Sequence, residues 1–196
     1  MSGALPPLPD KARLLDHAHR ARLHWGHSPR PAEIEVAGPG EESVWDFPRP
    51  PLVRPAGAIL RVEAGGLVIA ETSRGITVCE TAGAPVHYFA PDDVRTDLMT
   101  PTDYVTICEW KGAAVHYDLA VGNRTVARAA YSYPDPLDDL HRGFATIAGW
   151  FAFYPALVAC FADDERATPQ PGGYYGGWVR RCLRGPIKGG AGSEGW

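Results

Sequence analysis

A chain of 196 residues that is 45% hydrophobic and 21% charged has enough apolar material to bury a core, and its length suits one domain with extensions. Its formal net charge of -4 argues against the concentrated basic surface that marks nucleic-acid binding. No apolar run approaches the length of a membrane span, and the first ten residues lack the basic and apolar regions of a secretory leader.

The elements follow in chain order. Asp10 is a good N-cap for a helix in which Leu14, Ala18, Ala21 and Trp25 recur on one face, with a stop at Gly26. That seam is expected to dock the helix on the domain. Of His17, His19, His24 and His27, only His17 and His24 share a face, two turns apart, which makes metal binding there a poor expectation. Residues 28–57 lose periodicity and carry seven prolines, with Trp45 and Phe47 as anchors, so this stretch reads as an extended arm that wraps the domain.

From residue 58 the period becomes two. Residues 58–64 and 67–72 flank Gly65-Gly66 and form a predicted hairpin, because paired glycines supply the positive φ angles of primed turns. A second hairpin is predicted at Gly122-Asn123, between 113–121 and 124–131. Further strands are expected at 76–81, 86–89, 104–110 and 151–154, with Asp92 or Asp93 capping a short helical turn and another turn starting in 136–142. The predicted organisation is an N-terminal helix and arm over 1–56, a mainly antiparallel β domain over 57–163, and an irregular C-terminal arm over 164–196.

That last arm is rich in glycine and aromatics. It has no Gly-x-x-x-x-Gly-Lys run, so it is not a Walker-type phosphate loop, and a collar pinned by Tyr174, Tyr175 and Trp178 is the simpler expectation. Arg180, Arg181 and Arg184 form a local basic cluster, read as solvated surface rather than as a phosphate site. The four cysteines, Cys79, Cys108, Cys160 and Cys182, never form a Cys-x-x-Cys pair, so the expected setting is reducing and cytoplasmic.

Strand phase selects candidates for chemistry. Arg74, Ile76, Val78 and Glu80 share one face, so Glu80 projects from an apolar side and must be paired or neutral. It is either an acid, base or ligand anchor, or a structural ion-pair partner of Arg74 or Lys111. If Lys111-Gly112-Ala113 forms the turn between two strands, Cys108 comes opposite His116 and Thr106 opposite Asp118. A base beside a thiol, with Lys111 near, is what nucleophilic cysteine chemistry needs. A one-residue register change would separate that pair.

The segments Thr81–Leu98, Cys108-Glu-Trp-Lys111-Gly112, Tyr131-Ser-Tyr-Pro-Asp-Pro136 and Phe151-Ala-Phe-Tyr-Pro155 resemble one family, catalogued as domain of unknown function 427. The resemblance runs from Ser43-Val-Trp-Asp-Phe-Pro48 to the C-terminal Trp196. It implies a β-tent, two antiparallel sheets meeting at an angle, whose open end can hold a small ligand. Arg74, Glu80, Tyr88, Cys108, Lys111, Gly112, Tyr133 and Trp150 match the family pattern, in which aromatic residues are more usual at the positions of His116 and Tyr117 and tyrosine at that of His87.

Relatives of that fold often hold zinc with two Cys-x-x-Cys pairs. This chain has neither, so no zinc or other cofactor is expected. The nucleotidyltransferase-like label attached to the family implies magnesium held by closely spaced carboxylates, but a strand would point Asp92 and Asp93 apart.

The leading expectation is therefore a cytoplasmic protein that binds a small organic molecule in an aromatic-lined pocket. Arg74, Glu80, Tyr88, Lys111, Tyr117, Tyr133 and Trp150 are the candidate ligand-binding residues. An enzyme using Cys108, with Glu80 as a further catalytic candidate, and a noncatalytic interaction module are the alternatives. No nucleic-acid or membrane partner is expected, and a homodimer is left open.

Overall fold

The computed structural model describes residues 3–25 and 28–196; the predicted helix stop at Gly26, and His27, lie outside the described residues. Helix α1 (Lys11–Trp25) starts where expected, with the Asp10 carboxylate accepting from the Arg13 backbone N–H at 2.9 Å. Leu14 and Ala18 are its buried residues, and they meet Ala113 and Leu137 on the domain. The seam docks as its periodicity predicts.

The strands are β1 (Glu42–Ser43), β2 (Leu52–Pro55), β3 (Leu60–Ala64), β4 (Leu67–Thr72), β5 (Ile76–Cys79), β6 (Val86–Phe89), β7 (Met99–Cys108) and β8 (Gly112–Val121), followed by β9 (Arg124–Ser132), β10 (Phe151–Phe153), β11 (Ala159–Ala162), β12 (Glu165–Arg166), β13 (Thr168–Pro169), β14 (Trp178–Val179) and β15 (Leu183–Arg184). One antiparallel sheet runs in the order β2-β5-β6-β10-β9-β8-β7 and a second in the order β12-β11-β3-β4. Two short ribbons, β13 with β14 and the parallel pair β1 with β15, tie the arms down.

The two large sheets share one core. Phe89, Val115, Leu119 and Phe153 of the first pack with Leu60, Val62, Ile69 and Cys160 of the second. Over the described residues the fold is mainly antiparallel β with one N-terminal helix and no closed barrel, as the β-tent expectation has it. Trp178 of the C-terminal arm completes that core. It is fully buried, donates from Nε1 to the Phe153 carbonyl at 3.2 Å and stands edge-on to His87 at 4.7 Å.

Several expectations are corrected. The proline-rich arm does more than wrap: β2 pairs with β5 and forms the edge of the larger sheet, a place that tolerates Pro55. The apolar run after Ile147 holds a second strand, β11, beyond the predicted one. Asp93 caps nothing; it accepts from Arg74 twice at 3.0 Å and from the Thr72 hydroxyl at 2.7 Å. The turn expected in 136–142 lies at Phe144–Ile147, preceded by a loop whose backbone N–H groups at 142, 143 and 144 converge on the Asp138 carboxylate.

The register between β7 and β8 also differs. Cys108 pairs with Gly112, Thr106 with Ala114 and Val105 with Val115, so Cys108 does not oppose His116, nor Thr106 Asp118. The reversal uses Glu109-Trp110-Lys111 because Trp110 and Lys111 bury their side chains there. Gly112 begins β8 at φ 86, a conformation that glycine takes without strain.

Two buried histidines give the fold a pH signature. Burial, then Arg180 and Arg54, push His87 down to about 3; burial, then Arg128, push His116 down to about 4. The unfolded chain, titrating near 6.5, therefore binds protons first. Their contribution is complete above pH 6.5 and drains away as the pH falls towards those folded values, with His87 worth roughly 1.4 kcal/mol per pH unit across that window. Urea midpoints measured from pH 7 to pH 4 should fall accordingly, and His87→Gln should flatten the slope.

Candidate functional site

Four regions of the chain converge on a cavity of about 240 Å³. β5 delivers Glu80 just past its end, and the β7–β8 turn delivers Cys108, Glu109 and Lys111. Tyr131 comes from the end of β9 and Tyr133 from just past it. The C-terminal arm covers these with Gln170, Tyr174, Tyr175 and Lys188.

The arm is fastened by specific bonds. Gln170 Oε1 accepts from the Ala84 N–H at 2.9 Å, and its Nε2 donates to the Lys188 carbonyl at 3.1 Å. Lys188 Nζ donates to Glu80 Oε1 at 3.0 Å. A side chain at Gly177 would place its Cβ 2.7 Å from the Ala84 carbonyl oxygen, so only glycine lets the arm lie this close.

Lys111 is only 6% exposed. Its ammonium sits 5.6 Å from the centre of the Tyr133 ring, yet among the described residues it makes no hydrogen bond and no ion pair within 4.0 Å. Burial opposes its charge, but Cys108, Glu80, Tyr131 and Glu109 around it bind its proton more tightly than usual. It is a held cation without a direct partner. Burial alone would raise Glu80, but Lys188, Lys111 and Arg49 hold it below its ordinary value, whereas burial and the charge of Glu80 push Glu109 up. The cavity thus carries one firmly ionised carboxylate and one that keeps its proton more readily.

Burial raises the Cys108 thiol despite the opposing field of Lys111. Its sulfur accepts from the Trp110 N–H at 3.4 Å. His116 turns to Thr106 instead, with Nε2 2.9 Å from the hydroxyl.

Glu80, Cys108, Lys111 and Tyr133 are brought together as the sequence reading has them. Tyr88 lies under the cavity, fully buried and edge-on to Tyr131 at 6.4 Å, and its hydroxyl makes no hydrogen bond of normal geometry. Trp150 packs on the same aromatic cluster without reaching the cavity. Arg74 is elsewhere, exposed and held by Asp93, so the Glu80–Arg74 pair is not formed. Tyr117 points from the other face of β8 into the shared core, 5.1 Å from Phe151.

Sequence reasoning missed Lys188, Gln170, Tyr131 and Glu109. One signal was available for the first: the chain has only three lysines, Lys11, Lys111 and Lys188, and two of them meet here. The basic cluster of the tail has its carboxylates, Glu165 for Arg180 and Arg181 and Glu41 for Arg184. Among the described residues no set of three His, Cys, Asp or Glu groups converges as a metal site, and no helix is long and apolar enough to cross a membrane.

Fold and site define a mainly antiparallel β protein whose polar, tyrosine-lined cavity is roofed by its own C-terminal arm. The chain belongs to the family described as Domain of unknown function (DUF427), whose sequence profile matches residues 52–164. The match begins at β2 and ends before the arm that supplies Gln170 and Lys188. No curated protein matches the chain significantly.

Proposed function

We propose that the cavity binds a small organic molecule bearing an acidic group, with Lys111 as the counter-ion and Tyr131 and Tyr133 against its apolar body. The observation that carries this reading is Lys111, a 6% exposed residue lining the cavity, whose ammonium makes no hydrogen bond or ion pair with the described residues. Burying a charge is expensive unless it is paired and hydrogen-bonded, and Glu80, the firmly ionised carboxylate of the cavity, is bonded to Lys188. A ligand carboxylate would supply the missing partner. Glu80 acts as an anchor of a different kind, fastening the roof through Lys188 and keeping Lys111 charged. The four free cysteines suit a reducing, cytoplasmic setting. Titrating a panel of small aromatic and aliphatic carboxylates, benzoate among them, into wild type and Lys111→Met tests the proposal. Saturable binding that is lost in the variant is expected; no binding across the panel, or binding untouched by the substitution, overturns it.

Cys108 carries a second reading, because its thiol lines the same cavity beside a lysine. Thiolate chemistry needs a lowered pKa, and burial pushes this thiol up. Iodoacetamide at pH 7 should therefore label Cys108 more slowly than a small free thiol. Rapid labelling abolished by Cys108→Ser would favour the enzyme.

A further inference from the structure

Further along the same face of that sheet lies an outer, open cleft of about 370 Å³, continuous with the cavity through Thr106, Tyr154 and Tyr174, which line both. Three observations converge on it. First, the ladder between β8 and β9 shifts register between Tyr117 and Leu119, and Arg128 sits opposite that bulge at φ 51. A left-handed conformation strains a non-glycine residue, and bulges serve to re-aim side chains. Here the strained backbone is held by the Asp118 carboxylate, which accepts from the Arg128 N–H at 2.8 Å.

Second, the Arg128 guanidinium lies over Tyr104, 4.7 Å from the ring centre, and among the described residues it makes no hydrogen bond and no ion pair. Third, His116 lines the cleft at 3% exposure, and its Nδ1 is buried without a partner. Among the described residues the Thr106 hydroxyl makes its one side-chain hydrogen bond to Nε2 of that ring; in the tautomer proposed below the hydroxyl donates and the proton sits on Nδ1. A buried imidazole whose Nδ1 has no partner and an exposed guanidinium with no hydrogen bond to the described residues thus stand at one aromatic cleft.

We infer that this cleft is a second binding site, specific for an aromatic oxyanion. Arg128 and the Nδ1–H of His116 donate to the oxyanion, and the ring lies against Tyr104, Tyr154 and Tyr174. The site is independent of Lys111, although the shared lining would let one elongated ligand occupy both.

The test uses the full chain labelled with 15N in its imidazoles, and phenyl phosphate as the probe. The His116 resonances should show Nδ1 protonated and should shift saturably as the probe is added. Arg128→Gln should weaken binding about tenfold or more, as expected for a charged hydrogen bond. Lys111→Met, which removes the anchor of the inner cavity, should leave the probe-dependent His116 shift and its dependence on Arg128 in place. Arg128→Gly separates function from structure: it relieves the positive φ and should melt no lower than wild type while losing the probe. An unmoved His116 signal, or an affinity indifferent to Arg128, would overturn the outer site. Binding that follows Lys111 alone would assign the probe to the inner cavity and also overturn the outer one.

Discussion

Trp178→Ala is expected to lower stability by about 3–5 kcal/mol, the range for deleting a large buried aromatic. The indole is fully buried between the two sheets, and its loss also leaves the Phe153 carbonyl without its donor. His87, which packs against the indole at 4.7 Å, would gain access to water, so its pKa should move back towards 6.5. Urea melts with histidine titrations check both effects. A variant as stable as wild type would mean that the C-terminal arm lies on the fold without being part of it.

Glu80→Gln should be comparably damaging, by about 3–5 kcal/mol, because it strands a buried cation. The side chain of Lys188 is 10% exposed and bonded to Glu80 at 3.0 Å, and Lys111 stands nearby with no carboxylate of its own. The effect should also depend on pH. Glu80 is held below its ordinary 4.5 in the folded state, so its contribution is present above that pH and disappears as the pH falls through the folded value. The double variant Glu80→Gln with Lys188→Met should recover much of the loss, and a double-mutant cycle from urea melts gives the coupling. Additive, small effects would remove Glu80 from any role in fastening the roof.

Much of this architecture was legible because it is local. Alternation with Gly65-Gly66 and Gly122-Asn123 placed both hairpins, and the Asp10 cap with its Leu14–Ala18 seam placed the helix. The phase of Glu80 was enough to say that its carboxylate needs a partner. The partner's identity was not legible, because Lys188 is 108 positions away and arrives on an arm with no period of its own. The Cys108–His116 pairing failed for a related reason. Two turn positions were compatible with the alternation, and what decided between them was the burial of Trp110 and Lys111 together with the positive φ of Gly112, which depend on tertiary packing. Tyr117 shows the limit of composition: as one more tyrosine it belonged with Tyr133, but strand alternation turns it into the other core.

The central claim is that Lys111 is kept buried for a ligand and not for the fold. Thermal melts of Lys111→Met, with and without the carboxylate that binds wild type best, test it most directly. Replacing a buried charge by an apolar side chain of similar shape is often neutral or stabilising, so the variant should melt at or above the wild-type temperature without ligand. Binding a ligand to the native state raises the melting temperature by mass action, so wild type should respond to the carboxylate and the variant should not. A variant that melts well below wild type while still responding to the carboxylate would contradict the account, making Lys111 a structural cation and leaving the cavity without its anchor.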